Sequence, residues 1–193
     1  PADDIVSDLA QLGEAAVTTA RILGFAFTMV AGGNDTATGM LAGAMCLLSE
    51  RPDQRARLLA EPALIANAIE EILRLTSPVQ NLARTARRDV TLHGVTIPAG
   101  RKVLLGYAAA NRDPREFGTT AEDFDVGRRI AKMLTFSYGT HYCIGAAAAR
   151  LQGRVVLEEL LRRYPEFQVD VAAGRYAEGN YVRRHVALPW RAS

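Results

Sequence analysis

The run Phe136-Ser137-Tyr138-Gly139-Thr140-His141-Tyr142-Cys143-Ile144-Gly145 sets one cysteine between two glycines, at the point where an apolar helix is expected to begin. A helix start offers unpaired N–H groups and the positive end of a dipole, both of which stabilise a thiolate. Gly139 and Gly145 allow the backbone to come close to a flat macrocycle, Phe136 is placed to screen the sulfur from water, and the small run Ala146–Ala149 lets the helix lie flat. Such an arrangement suits a thiolate offered to a haem iron, a ligation that pushes electron density onto the metal and favours oxygen–oxygen cleavage. Zinc is the competing metal, but His141 and Cys143 supply only two ligands and no second pair has suitable spacing.

The same segment fits the pattern Phe-x-x-Gly-x-His-x-Cys-x-Gly at every fixed position, and in this it resembles the haem-binding loop of the cytochrome P450 monooxygenases. The resemblance implies haem b (iron protoporphyrin IX) as cofactor, with Cys143 as its axial ligand and His141 beside a propionate. Arg84 falls where the family places a strand arginine that pairs with a propionate, a contact a guanidinium can make with two bonds.

Glu71 and Arg74 lie three apart on an expected helix and so share one face, which by itself is an ordinary surface ion pair. The family has a Glu-x-x-Arg in this helix, joined by an arginine from a later meander, and Arg128 in Phe124-Asp125-Val126-Gly127-Arg128 stands at the matching place. A buried structural network of Glu71, Arg74 and Arg128 is implied. Gly32-Gly33-Asn34-Asp35-Thr36 is similar to the family's oxygen-binding segment, where two glycines in mid-helix sacrifice helix propensity for a groove. Thr36 and Asp35 are the implied catalytic proton relay, with Ala37 standing where many relatives have a second threonine. Substrate-pocket candidates are Thr28, Val79, Gln80, Leu82 and Asn180, a set mixed in character that fits a mostly apolar molecule of moderate size.

The elements that must hold these residues are legible in outline. A long helix is expected from about residue 15 to 50, roughly 50 Å at 1.5 Å per residue. A short helix follows Pro52, and a helix over 62–76 has apolar residues at a 3.6 period and is stopped by Pro78. Short β signals at Val90–Leu92, Val95–Ile97 and Val103–Leu105 suggest one small twisted sheet. Residues 111–129 form an aperiodic meander, the cysteine loop spans 136–145, and a helix over 144–163 ends before Pro165. Strands near Phe167–Val171 and Tyr181–Leu188 finish the chain. The fold class is therefore mainly α with small β-sheets, the carboxyl-terminal half of a single cytochrome P450 domain.

Composition bounds the remaining possibilities. The 193 residues are 49% hydrophobic and 23% charged, enough for one sizeable core. The net charge of +2 is spread along the chain, so nucleic acid is not an expected partner. Cys46 and Cys143 are far apart, which argues against a disulfide framework and fits a reducing cytoplasm. Ile22–Leu48 is apolar enough to raise a membrane-spanning alternative, but Gly32-Gly33-Asn34-Asp35 at its centre speaks against one, and no membrane anchor is expected. The chain opens at Pro1 without an initiating methionine, which fits a fragment, and the resemblance covers only about half a family member. Apolar surface left bare by a missing half would be hidden by dimerisation or swapping.

The resemblance thus implies a monooxygenase that inserts one atom of dioxygen into an apolar small molecule. Electrons derived from NAD(P)H would arrive through a ferredoxin or flavodoxin with its reductase, and Arg129, Lys132, Arg150 and Arg154 are candidate attractors for such an acidic donor. The alternative is a haem-binding or sensing module without turnover. A peroxide-driven relative is disfavoured by the Asp35-Thr36 pair, and a haem-free helical protein would be colourless.

Overall fold

Proline and glycine positions punctuate this chain so strongly that most helix ends can be traced to a single residue. The computed structural model describes residues 2–192, which divide into two units, one up to Asp35 and one from Thr36 onward. In the first unit, α1 (Ile5–Gln11) is capped by Asp4, whose carboxylate accepts from the Ser7 N–H at 2.8 Å. The long helix α2 (Thr19–Glu50) begins four residues later than its hydropathy suggests. Here the Glu14 carboxylate takes the Thr19 N–H at 3.1 Å and supplies an acceptor for a helix start that would otherwise lack one. Leu23, Phe27 and Val30 on this part of α2 are exposed.

The second unit holds the core. The rest of α2 contributes Met40, Ala44 and Leu48, and α3 (Pro52–Ala60) contributes Leu58. A 3-10 turn over Pro62–Leu64 leads into α4 (Ile65–Thr76), whose Ile65, Ala68, Ile69, Ile72 and Leu75 are all buried, as the 3.6 period requires. Ser77 ends α4 in the left-handed region at φ 36°, where its N–H donates to Leu73 O and Pro78 forbids continuation.

One small sheet was the expectation, but the strands form four separate antiparallel pairs. β1 (Asn81–Thr85) pairs with β4 (Lys102–Gly106), and β2 (Val90–Leu92) with β3 (Val95–Ile97) through the His93-Gly94 turn, where both residues have positive φ. A single-turn helix, α5 (Tyr107–Ala110), leads into the meander, which contains a second, α6 (Pro114–Phe117). After the cysteine loop, α7 (Ala146–Arg163) starts two residues later than expected, because Gly145 serves as its N-cap. It buries Gly153, Leu157 and Leu161, with Gly153 pressed so closely on Ile69 of α4 that an added Cβ would lie 2.8 Å from Cδ1. β5 (Phe167–Val169) pairs with β8 (Trp190–Ala192), and β6 (Arg175–Tyr176) with β7 (His185–Ala187). Among the described residues no helix is long and apolar enough to cross a membrane.

Candidate haem-thiolate site

Cys143 lies on an exposed stretch just beyond a 3-10 turn, Gly139–His141, and three residues before α7 begins. Its N–H donates to Phe136 O at 2.9 Å, closing the loop on itself, and its own carbonyl accepts the Ala146 N–H at 3.3 Å. Ser137 and Gly139 bend the loop with φ of 63° and 69°. For Ser137 this is a sparsely populated conformation that only surrounding contacts can hold. Phe136 is buried beneath the loop, while Tyr138 and Ile144 stand 80% and 74% exposed on either side of the cysteine. His141 is exposed as well.

This geometry can be tested against a haem. Among the described residues no three His, Cys, Asp or Glu side chains gather to hold an ion, so the zinc alternative lacks its donor set. One accessible thiol bordered by bare apolar and aromatic side chains instead fits a metal that brings its own equatorial ligands. Gly139 leaves open space where a side chain would stand, and a Cβ at Gly145 would sit 3.8 Å from the Cys143 sulfur, so neither position blocks approach. Arg84, half-buried on β1, donates to the neighbouring Ala83 O at 3.1 Å and has no carboxylate partner among the described residues. Its guanidinium is thus available to an acidic group. The residues present fit the cofactor.

Behind the loop, Glu71 and Arg74 are completely buried. Arg74 donates from Nε to Glu71 Oε2 at 2.7 Å and from Nη2 to Oε1 at 2.8 Å, a two-bond pairing. Its remaining protons go to the meander carbonyls of Asn111, Ala121 and Asp123 at 2.8, 2.6 and 3.2 Å. Arg128 Nε completes the expected trio with a 3.0 Å bond to Glu71 Oε1, and its other nitrogens reach Phe117 O and Thr120 O. The trio therefore stitches an aperiodic segment to α4.

Several contributors were invisible in the sequence. Asn111, fully buried, donates to Ser77 Oγ and to Thr135 Oγ1, both at 2.8 Å, and accepts the Leu134 N–H at 2.7 Å, so one amide joins the end of α4 to the approach of the cysteine loop. Glu70, next to Glu71, takes two bonds from Arg150 on α7, at 2.6 and 2.9 Å. That carboxylate, then the Tyr142 hydroxyl, raise the Arg150 guanidinium above its already high pKa. Arg154 pairs with Glu158 at 3.8 Å. Two of the four basic residues read as attractors for an acidic donor are thus engaged within the chain.

The pocket candidates separate. Segment 78–81 lies against 180–183: Gln80 N–H donates to Tyr181 O and Arg183 N–H to Pro78 O, each at 2.7 Å, Val79 bridges Val182, and Asn81 Nδ2 donates to Asn180 O at 2.9 Å. Val79, Gln80 and Asn180 therefore belong to one wall, continued by the partly exposed Leu82 on β1. Gln80 is less free than expected, because its amide nitrogen donates to the α4-end carbonyls of Thr76 and Ser77. In the first unit, Thr28 bonds back to Gly24 O at 2.7 Å, and a Cβ built on Gly32 or Gly33 meets no atom within 4 Å. Asp35 is exposed, and Thr36, the first residue of the second unit, is half-buried.

Comparison with known proteins bears on the family and the fold. The family profile described as Cytochrome P450 matches residues 5–175. Cytochrome P450 130 of Mycobacterium tuberculosis is 55% identical over 197 aligned positions, which cover 100% of this chain and 49% of that protein. The cytochrome P450 BJ-1 homolog of Sinorhizobium fredii is 39% identical over 176 positions, 89% of this chain and 44% of its own length. Among solved structures, CYP109E1 of Bacillus megaterium in complex with testosterone superposes with a TM-score of 0.91 at 33% identity, covering 98% of this chain and 53% of that one. The chain spans about half the length of the curated relatives it matches. Its sequence, its fold and its cysteine loop together make it a member of the cytochrome P450 family.

Proposed function

We propose that this chain is the carboxyl-terminal half of a haem-thiolate monooxygenase that inserts one oxygen atom of dioxygen into an apolar small molecule. When bound, a thiolate-ligated haem supplies the electron push that favours oxygen–oxygen cleavage. Cys143 provides the sulfur, Phe136, Gly139 and Gly145 shape its loop, and Arg84 and His141 hold the propionates. Gly32 and Gly33, by their resemblance to the family's oxygen-binding segment, border the space for dioxygen. Thr36 Oγ1 passes protons toward that space, with the Asp35 carboxylate resupplying it from solvent. Glu71, Arg74 and Arg128 keep the meander in place beneath the site.

The observation that carries this reading is a single exposed thiol, fixed by the 2.9 Å bond of its own N–H to Phe136 O, in a chain whose family is established. Val79, Gln80, Leu82 and Asn180 are the substrate-side candidates of the second unit and Thr28 that of the first, and the testosterone in the CYP109E1 complex supports an apolar substrate of moderate size. Electrons come from NAD(P)H through a ferredoxin or flavodoxin and its reductase. Arg129 and Lys132, which have no carboxylate partner among the described residues, are the better attractors for such a donor. The working location is the cytoplasm.

The test is the absorption spectrum of the full-length protein, reduced and bound to carbon monoxide. It should show the long-wavelength band of a thiolate-ligated haem, and Cys143→Ala should abolish that band. A haem spectrum unaltered by Cys143→Ala, or no haem in the full-length protein, would overturn the assignment.

A further inference from the structure

Arg150 contacts both stretches of chain that hold Cys143. Its guanidinium lies 4.7 Å from the centre of the Phe136 ring, and Nη1 reaches the Tyr142 hydroxyl at 3.3 Å. Phe136 supplies the carbonyl that takes the Cys143 N–H, and Tyr142 is the residue immediately before the cysteine. The two rings are also neighbours, with centroids 6.3 Å apart and planes tilted by 59°. On its far side Arg150 is fixed to α4 by the two bonds it donates to Glu70. The side chains of Arg150 and Glu70 are 37% and 28% exposed, so the pair is partly shielded from solvent and less screened than an ordinary surface pair.

We propose that Arg150 is a positioning residue for Cys143: anchored to Glu70, it clamps Phe136 and Tyr142 and so fixes the sulfur against α4. The loop needs such an external hold, because Ser137 adopts φ 63° and the loop's own closure across Phe136 and Cys143 is one backbone hydrogen bond. Arginine suits the task where lysine does not, since a planar guanidinium can pair with a carboxylate edge-on and cover a ring with its face. α4 consequently carries two adjacent carboxylates with separate duties, Glu71 toward the meander and Glu70 toward the cysteine loop. The inference rests on the reading that Cys143 ligates the haem iron.

The experiment uses the full-length, haem-loaded protein and two readouts, amide hydrogen exchange across 136–145 and the reduced carbon-monoxide spectrum. Arg150→Ala should speed exchange of the Cys143 amide at least tenfold and move part of the absorbance to the position seen in Cys143→Ala. Glu70→Gln should do the same more weakly, which keeps the test decisive if Arg150→Ala does not fold. The double reversal Glu70→Arg/Arg150→Glu restores the ion pair without a cation on Phe136 and should leave the loop fast. Unchanged exchange and spectrum in Arg150→Ala or Glu70→Gln, or full rescue by the reversal, would overturn the clamp. A spectrum indifferent to Cys143→Ala would instead overturn the ligand assignment, whatever Arg150 does.

Discussion

Arg74 and Glu71, one turn apart on α4, pair through two hydrogen bonds with neither side chain exposed at all. A buried ion pair is weak ground for net stability, because desolvation offsets the attraction, yet losing one partner strands the other. Arg74→Ala or Glu71→Ala should therefore lower unfolding stability by about 3–5 kcal/mol, read from urea midpoints of the full-length protein. Arg74→Lys should not rescue, since lysine cannot serve the carboxylate and the carbonyls of Asn111, Ala121 and Asp123 together. A loss below about 1 kcal/mol would mean that the pair behaves like a surface one.

Gly39 gives a prediction whose sign is set by backbone. Alanine is worth about 1 kcal/mol over glycine in a helix interior. But a Cβ at Gly39 would lie 2.5 Å from Arg183 O, and that carbonyl belongs to a residue tied to Pro78. Gly39→Ala should destabilise by about 1–3 kcal/mol, and a raised melting temperature would show that the wall at 180–183 yields easily.

His185 is buried against the Tyr176 ring, with centroids 4.0 Å apart, and neither ring nitrogen has a hydrogen-bond partner among the described residues. Burial, then the nearby Arg183, push its pKa below the ordinary 6.5. The unfolded chain takes up a proton that the folded one refuses, so this site costs nothing well above pH 6.5 and costs stability as the pH falls toward the folded value. His185→Phe keeps the stacking and removes the titration. The variant should gain on the parent when urea midpoints at about pH 5 are compared with those at about pH 8, and parallel midpoints would refute the burial argument.

The proposed proton relay requires that Thr36→Ala in the full-length protein cut product formed per reductant consumed several-fold while leaving the reduced carbon-monoxide spectrum intact. No second hydroxyl stands behind it at Ala37. Undiminished coupling would remove Thr36 from the proton path.

What could be read in advance divides by range. The cysteine loop, the period of α4 and the stops at Pro78 and Pro165 are local, and each was legible from a few neighbouring residues. The link from Glu71 to Arg128 crosses 57 positions and was available only through resemblance. Glu70 with Arg150, 80 positions apart, carried no signal because neither type nor spacing says which arginine a carboxylate will meet. Asn111 was missed for a related reason: an asparagine in a polar meander reads as a turn former, and only packing shows that it is buried. β1 has no β-branched run to announce it, and its identity as a strand comes from pairing with β4. The separate two-stranded pairs defeated the single-sheet expectation because propensity identifies strands without naming their partners.

The junction of segments 78–81 and 180–183 is held mostly by main-chain atoms, from Gln80 to Tyr181, from Arg183 to Pro78 and from Val79 to Val182. Peptide groups are common to every residue type except the proline nitrogen, so side chains at Val79 and Asn180 can be swapped while the framework stands. On the proposed reading of Val79 and Asn180 as substrate contacts, a lineage built this way trades one molecule for another by point changes at little structural cost, and two chains with superimposable backbones need not share a diet.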